Sequence, residues 1–234
     1  MSTQNNKTEE MFRAGVHYGY AKSRRHPSTA PYIFTTKNGV DIINIEKTAD
    51  LLEKVLEKVS EYGANGKTIL FVGTKAEAKQ QIIETALALN MPYVGERWVG
   101  GSLTNYSEIK KRISKLLDLR EQKEKGGFDK YTKKERLLID REMDDMTKNF
   151  QGFTSMTRSP DVMFVIDPKK EHIAVTEAKQ MNIPIIALLN SDCDLKKVEF
   201  PIVGNDSSVS SISFFLSQIK NAYTSGVNGA NAKK

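Results

Sequence analysis

Arg97-Trp98-Val99-Gly100-Gly101-Ser102-Leu103-Thr104-Asn105 divides the chain into two kinds of sequence. Before it, apolar runs of strand length alternate with amphipathic helical segments, and the alternation resumes near residue 150. Between them lie about 45 highly charged residues with helical periodicity. A glycine pair turns the backbone without a Cβ penalty, and Ser102 or Thr104 can cap the next helix. The stretch therefore reads as the exit from a compact α/β body into a protrusion. An ordinary loop-to-helix junction accounts for the spacing alone. Arg97, Trp98 and Asn105 add side chains able to contact RNA, beside two glycines that permit close approach.

On either side of the insertion the pattern is that of a parallel sheet. Thr68 to Val72, Asp161 to Ile166 and Ile183 to Leu189 are continuous apolar runs, the mark of strands buried on both faces. Thr48 to Tyr62, Ala76 to Asn90, a segment through Lys179 and Ser207 to Tyr223 read as helices. Pro92 to Val94 and Phe200 to Ile202 read as short strands. Pro31 to Phe34 and Val40 to Ile45 read as two more, with Lys37-Asn38-Gly39 as the turn between them. Strand alternating with helix predicts a flavodoxin-like, doubly wound parallel sheet.

Within the insertion, Tyr106, Ile109, Ile113 and Leu116 step by three, four and three. Ile139, Met143, Met146 and Phe150 step by four, three and four. Two narrow seams of this kind predict an antiparallel coiled-coil hairpin, turning around Lys125 to Tyr131. The expected organisation is a disordered N-terminus over 1–8, a body over 9–103 and 150–224, the hairpin over 104–149, and a flexible tail over 225–234. The seams are thin, so the hairpin is expected to project.

Lys+Arg is 35 against Asp+Glu 29, a net charge of +6, and it is unevenly spread. From Met11 to Val40 there are five basic residues, two histidines and no acid. A block of one sign points to a polyanionic partner, although a solvated basic loop has the same composition. In the loop from Gly15 to Pro27, glycines, aromatics and cations interleave in a way that suits phosphates and bases. The candidate RNA-binding residues are Arg13, His17, Lys22, Arg24, Arg25, Lys37, Arg97, Trp98, Asn105, Lys110 and Arg112.

Cys193 is the single cysteine, which excludes an intramolecular disulfide or a Cys-rich zinc site and suits a reducing cytoplasm. The polar start argues against a signal peptide, and no apolar run reaches membrane-spanning length. A nucleotide-dependent enzyme is the alternative that a doubly wound sheet invites. Yet no Gly-x-Gly-x-x-Gly follows a predicted strand. Gly63-Ala64-Asn65-Gly66-Lys67-Thr68 is two residues short of a phosphate loop and precedes a strand instead of following one. Gly73-Thr74-Lys75 reads as a strand-to-helix turn, His172 as a surface histidine, and Asp192-Cys193-Asp194 as a poor zinc site. No catalytic residue, cofactor or metal is expected, and no homo-oligomer.

Many blocks together resemble one family. They include Gly15-Val16-His17-Tyr18-Gly19, Leu70-Phe71-Val72-Gly73-Thr74-Lys75, the stretch from Arg97 to Asn105, Glu171-His172-Ile173-Ala174, Glu177-Ala178 and Pro201-Ile202-Val203-Gly204-Asn205-Asp206. In this order they resemble the bacterial-type small-subunit ribosomal protein S-two family, over roughly residues 9 to 223. The resemblance implies a structural, non-enzymatic protein of the small ribosomal subunit. It also implies rRNA and neighbouring ribosomal proteins as partners, help in docking ribosomal protein S-one, and a cytoplasmic or organellar ribosome. The N-terminal loop departs from the family pattern: Tyr20 stands for a histidine, Arg25 for a tryptophan and His26 for an asparagine. Asn190-Ser191-Asp192 stands where Asp-Thr-Asn is usual.

Overall fold

The computed structural model describes residues 2–128, 131–156 and 158–231. Its centre is a parallel sheet of β4 (Ile69–Val72), β5 (Tyr93–Val94), β6 (Val162–Ile166), β7 (Ile185–Leu189) and β8 (Phe200–Val203). The spatial order is β5-β4-β6-β7-β8, every neighbour parallel. In chain order that is 2-1-3-4-5, the flavodoxin-like arrangement. The fold class expected from the alternation is the one observed.

Side chains alternate across the pleat and so build two cores. Ile69, Phe71, Phe164, Ile186 and Leu188 meet α2 (Ile45–Ala64), α3 (Ala76–Leu89) and α7 (Val209–Asn231) through Leu52, Val55, Ile82, Phe215 and Ile219. Leu70, Val72, Met163, Val165 and Ala187 face the other way, toward α6 (His172–Gln180). One nine-residue helix cannot cover a five-stranded sheet. The rest of that face is covered by Trp98, Leu103, Phe153 and the root of the insertion.

The insertion is α4 (Tyr106–Glu124) and α5 (Lys133–Phe150), packed antiparallel and cross-linked by Lys115 to Glu142 and by Lys123 to Asp140 at 2.7 Å. A capping box starts α5. Thr132 accepts from the Glu135 amide, and the Glu135 carboxylate accepts from the Thr132 amide, as the Thr-x-x-Glu spacing dictates. Residues 129 and 130 of the expected turn lie outside the described residues. One expectation is corrected: the hairpin does not merely project. Ile109, Ile113 and Phe150 are buried in the same core as the sheet.

The N-terminal region also differs from expectation. The helix α1 (Ser2–Arg13) occupies part of the stretch expected to be disordered. Tyr18–Ala21, expected within a loop, forms β1, and it pairs antiparallel with β3 (Val40–Ile43), which also pairs with β2 (Ile33–Lys37). Pro31 and Tyr32 close a 3-10 turn instead of opening a strand. At the other end α7 runs to Asn231, past the expected tail boundary. Gly226 explains this: a Cβ there would overlap the Ser60 carbonyl oxygen, just as one at Gly63 would overlap that of Tyr223. The two glycines let α2 and α7 touch backbone to backbone, and the final turns of α7 are held by that contact.

Candidate nucleic-acid interface

The junction from Arg97 to Asn105 is built around a carboxylate that stands far away in sequence. Glu177, on α6, accepts from Trp98 Nε1 at 3.0 Å and the Gly101 amide at 2.8 Å through Oε1. Its Oε2 accepts from the amides of Leu103 and Thr104 at 3.0 and 3.2 Å, and from the Thr104 hydroxyl at 3.3 Å. Burial pushes the Glu177 pKa up, but the hydrogen bonds from Trp98 and the amides outweigh it and hold the carboxyl below its usual value. Gly101 takes φ +86°, which leaves its amide free to turn inward. Trp98 is therefore a structural wedge, buried with its ring edge-on to Phe153.

The carboxyl ends of the strands, where doubly wound sheets bind cofactors, are closed by the protein itself. Lys75, just beyond β4, reaches Asp167 beyond β6 at 2.6 Å and Asp206 beyond β8 at 2.5 Å. Desolvation lowers the Lys75 pKa, but the two carboxylates outweigh it and raise it above the usual lysine value. Over this cluster lies the N-terminal sheet. The Tyr20 amide donates to Ser191 Oγ at 3.0 Å, the Tyr20 hydroxyl pairs with Ser207 at 2.6 Å, and Arg24 meets Asp192 at 3.1 Å. Thr29 donates to the Ser191 carbonyl at 2.7 Å, and Thr48 to that of Val203 at 2.6 Å. Cys193 is buried beneath, its thiol pushed up by burial and by the carboxylates of Asp167, Asp192 and Asp206.

The expected site residues divide sharply. His17 is buried between the rings of Phe12 (centroids 4.4 Å apart) and Tyr18 (4.1 Å), and burial lowers its pKa. Arg25 turns inward as a two-pronged partner of the fully buried Asp41, reinforced by Thr36 at 2.7 Å. The hydrogen bonds from Arg25 are the largest cause holding the Asp41 carboxyl below its usual value. His17 and Trp98 are buried, and Arg25 is half-buried with its charge already engaged by Asp41. Arg13 pairs with Glu9 at 2.8 Å, and Arg24 lies over the Tyr20 ring at 4.3 Å while holding Asp192. Asn105 is exposed at the start of α4. Lys22, Lys37, Arg97, Lys110 and Arg112 are exposed, and among the described residues none of them has a side-chain hydrogen bond or ion pair.

The structure thus leaves cations facing outward in two places, on the N-terminal sheet and around the hairpin root. Glu177 was singled out in the sequence only as part of a recurring block. Nothing local announces its role, because its partners lie 73 to 79 residues away.

The fold and its closed edge define a flavodoxin-like domain whose cofactor edge is filled by its own N-terminal sheet, with cations left outward. The family model described as Ribosomal protein S2 matches residues 11–226. The small ribosomal subunit protein uS2 of Dictyoglomus turgidum is 42% identical over 218 residues, covering 93% of this chain and 89% of that one. That of Nocardia farcinica is 40% identical over 219 residues, with 94% and 77% covered, and that of Acidothermus cellulolyticus 40% over 220, with 94% and 80%. The chain belongs to the ribosomal protein S2 family. Its relatives are ribosomal proteins of the small subunit and not enzymes.

Proposed function

We propose that the protein binds small-subunit rRNA through the two outward-facing groups of cations and helps dock ribosomal protein S-one, in a cytoplasmic ribosome. The observation that carries the RNA reading is that Lys22, Lys37, Arg97, Lys110 and Arg112 are solvated and unpaired among the described residues. Charges already neutralised internally, such as Arg25, release no counterions on binding RNA. Arg24 contributes less than its position suggests, since Asp192 holds it. A neighbouring protein is supported by the apolar side chains of Phe12, Tyr18 and Phe34, which are exposed on or beside the N-terminal sheet.

The test is the salt dependence of binding to small-subunit rRNA. Lys22→Ala with Lys37→Ala should flatten the log-log slope by about 0.7 to 0.9 for every phosphate no longer neutralised. Arg25→Ala should act through stability instead, because it leaves the Asp41 carboxylate buried and unpaired, at a cost of about 3–5 kcal/mol. A slope unchanged in the lysine variant would remove the N-terminal sheet from the interface.

A further inference from the structure

Between the junction and the hairpin root lies a cleft of about 770 Å³. Its back is apolar, made by Trp98, Val99, Met146 and Phe150. From α4 it receives Arg112 and Lys115, and from α5 Glu142, Asp145 and Asn149, which recur at helical spacing on one face. Lys115 and Glu142 neutralise each other across the helix pair. That leaves two exposed, unpaired cations, Arg97 and Arg112, with one exposed carboxylate, Asp145, and one amide, Asn149.

This combination matches one nucleotide better than it matches a helix or a strand. A peptide would need a longer apolar strip, and a duplex presents its phosphates in rows that two cations do not match. Unpaired RNA bases are splayed out, laid on flat apolar or aromatic groups and read by hydrogen bonds along their edges. Building on the RNA-binding reading above, we infer that the cleft receives one unpaired nucleotide, its phosphate between Arg97 and Arg112 and its base against the apolar back. Asp145 then selects the base. A carboxylate only accepts, so it favours guanine, adenine or cytosine, whose edges present amino groups. It disfavours uracil, whose ring N–H lies between two carbonyl oxygens. Asn149 can donate to a base carbonyl or ring nitrogen beside it.

Trp98 is the only tryptophan in the chain, so tryptophan emission reports on the junction and the cleft it lines. The full-length protein is titrated at low salt with short single-stranded oligomers of A, C, G or U, and binding to small-subunit rRNA is measured separately by filter retention. The expected result is a saturable change in Trp98 emission, weakest for oligo-U. Arg97→Ala with Arg112→Ala should reduce the salt slope by roughly 0.7 for each phosphate that the variant leaves unneutralised. Asp145→Asn should erase most of a preference that a good base-edge contact sets at about 5- to 100-fold. All three side chains are exposed, and melting curves of the variants serve as the check that they fold. The inference is overturned if rRNA is retained but no oligomer changes Trp98 emission, or if the arginine variant titrates like the parent. It is likewise overturned if a neighbouring ribosomal protein, and not RNA, moves the signal. Failure of the parent protein to retain rRNA would sink the broader reading instead.

Discussion

Glu177 carries a buried charge with no cation paired to it among the described residues. Its charge is balanced by dipoles: one indole N–H, three amides and a hydroxyl, all from the junction. Charge-assisted hydrogen bonds of this kind contribute about 1.5–3 kcal/mol each before desolvation is counted. Glu177→Gln keeps the volume but makes the side chain half donor, facing groups that all donate. The variant should unfold at lower temperature by roughly 2–4 kcal/mol of stability. The sign with pH follows from the depressed folded pKa. The stabilisation is full above the unfolded value near 4.5 and is lost as pH falls through the folded value. Urea unfolding of parent and variant from about pH 6 to about pH 3 should converge toward the acid end. A constant gap between the two curves would show that the carboxylate charge is not what the junction recognises.

At the scale of elements, the hairpin has two parts with different work. Near the root, Ile109, Ile113 and Phe150 complete the covering of the sheet, whereas Leu117, Leu137 and Leu138 are exposed. Replacing residues 117–138 by a short Gly/Ser linker should leave a cooperative α/β domain, because closing a short loop between adjacent helix ends costs little. Replacing residues 108–149 should not, since each large apolar side chain removed from the core costs about 2–5 kcal/mol. Thermal unfolding monitored by circular dichroism distinguishes the two deletions. Equal stability would mean that the packing at the root contributes nothing. The seams themselves were legible in the sequence, as were the buried strands and the helices, because long periodic patterns carry their own partners. What was not legible depended on distance. Tyr18–Ala21 is too short and glycine-bearing to announce a strand before β3 pairs with it. The end of α7 is visible only once Gly226 meets Ser60. The charge block from Met11 to Val40 did not tell which cations face outward. Arg25 looks like Arg24 until Asp41 is found beneath it.

For the molecule as a whole, the closed carboxyl edge of the sheet separates this fold from the cofactor enzymes that share its topology. Lys75 occupies the turn where a phosphate would sit, and it is held by Asp167 and Asp206. The antiparallel sheet then covers the place a base or ring would take. The same wall-and-lid arrangement leaves Lys22, Lys37, Arg97, Lys110 and Arg112, unpaired among the described residues, on the outside, on the N-terminal sheet and at the hairpin root. Gly73-Thr74-Lys75, read as a strand-to-helix turn, and Asp192-Cys193-Asp194, read as a poor zinc site, serve to shut the cavity.

That lid also sets a timetable. Tyr20 closes on Ser207, Arg24 on Asp192 and Thr29 on Ser191, pairings that span 187, 168 and 162 residues. During synthesis the N-terminal sheet emerges first, but its landing places are made last. At about 5–20 residues per second the wait is on the order of ten seconds or more. Throughout that interval the basic, aromatic segment is exposed without its support. Nascent chains arrested before Ser191 should be cut by protease between Gly15 and Val40, and released full-length chains should resist. Early protection would show that the N-terminal sheet stands alone. A sheet made ahead of the body is thus finished after it, and its surface matures only when the body beneath it is complete.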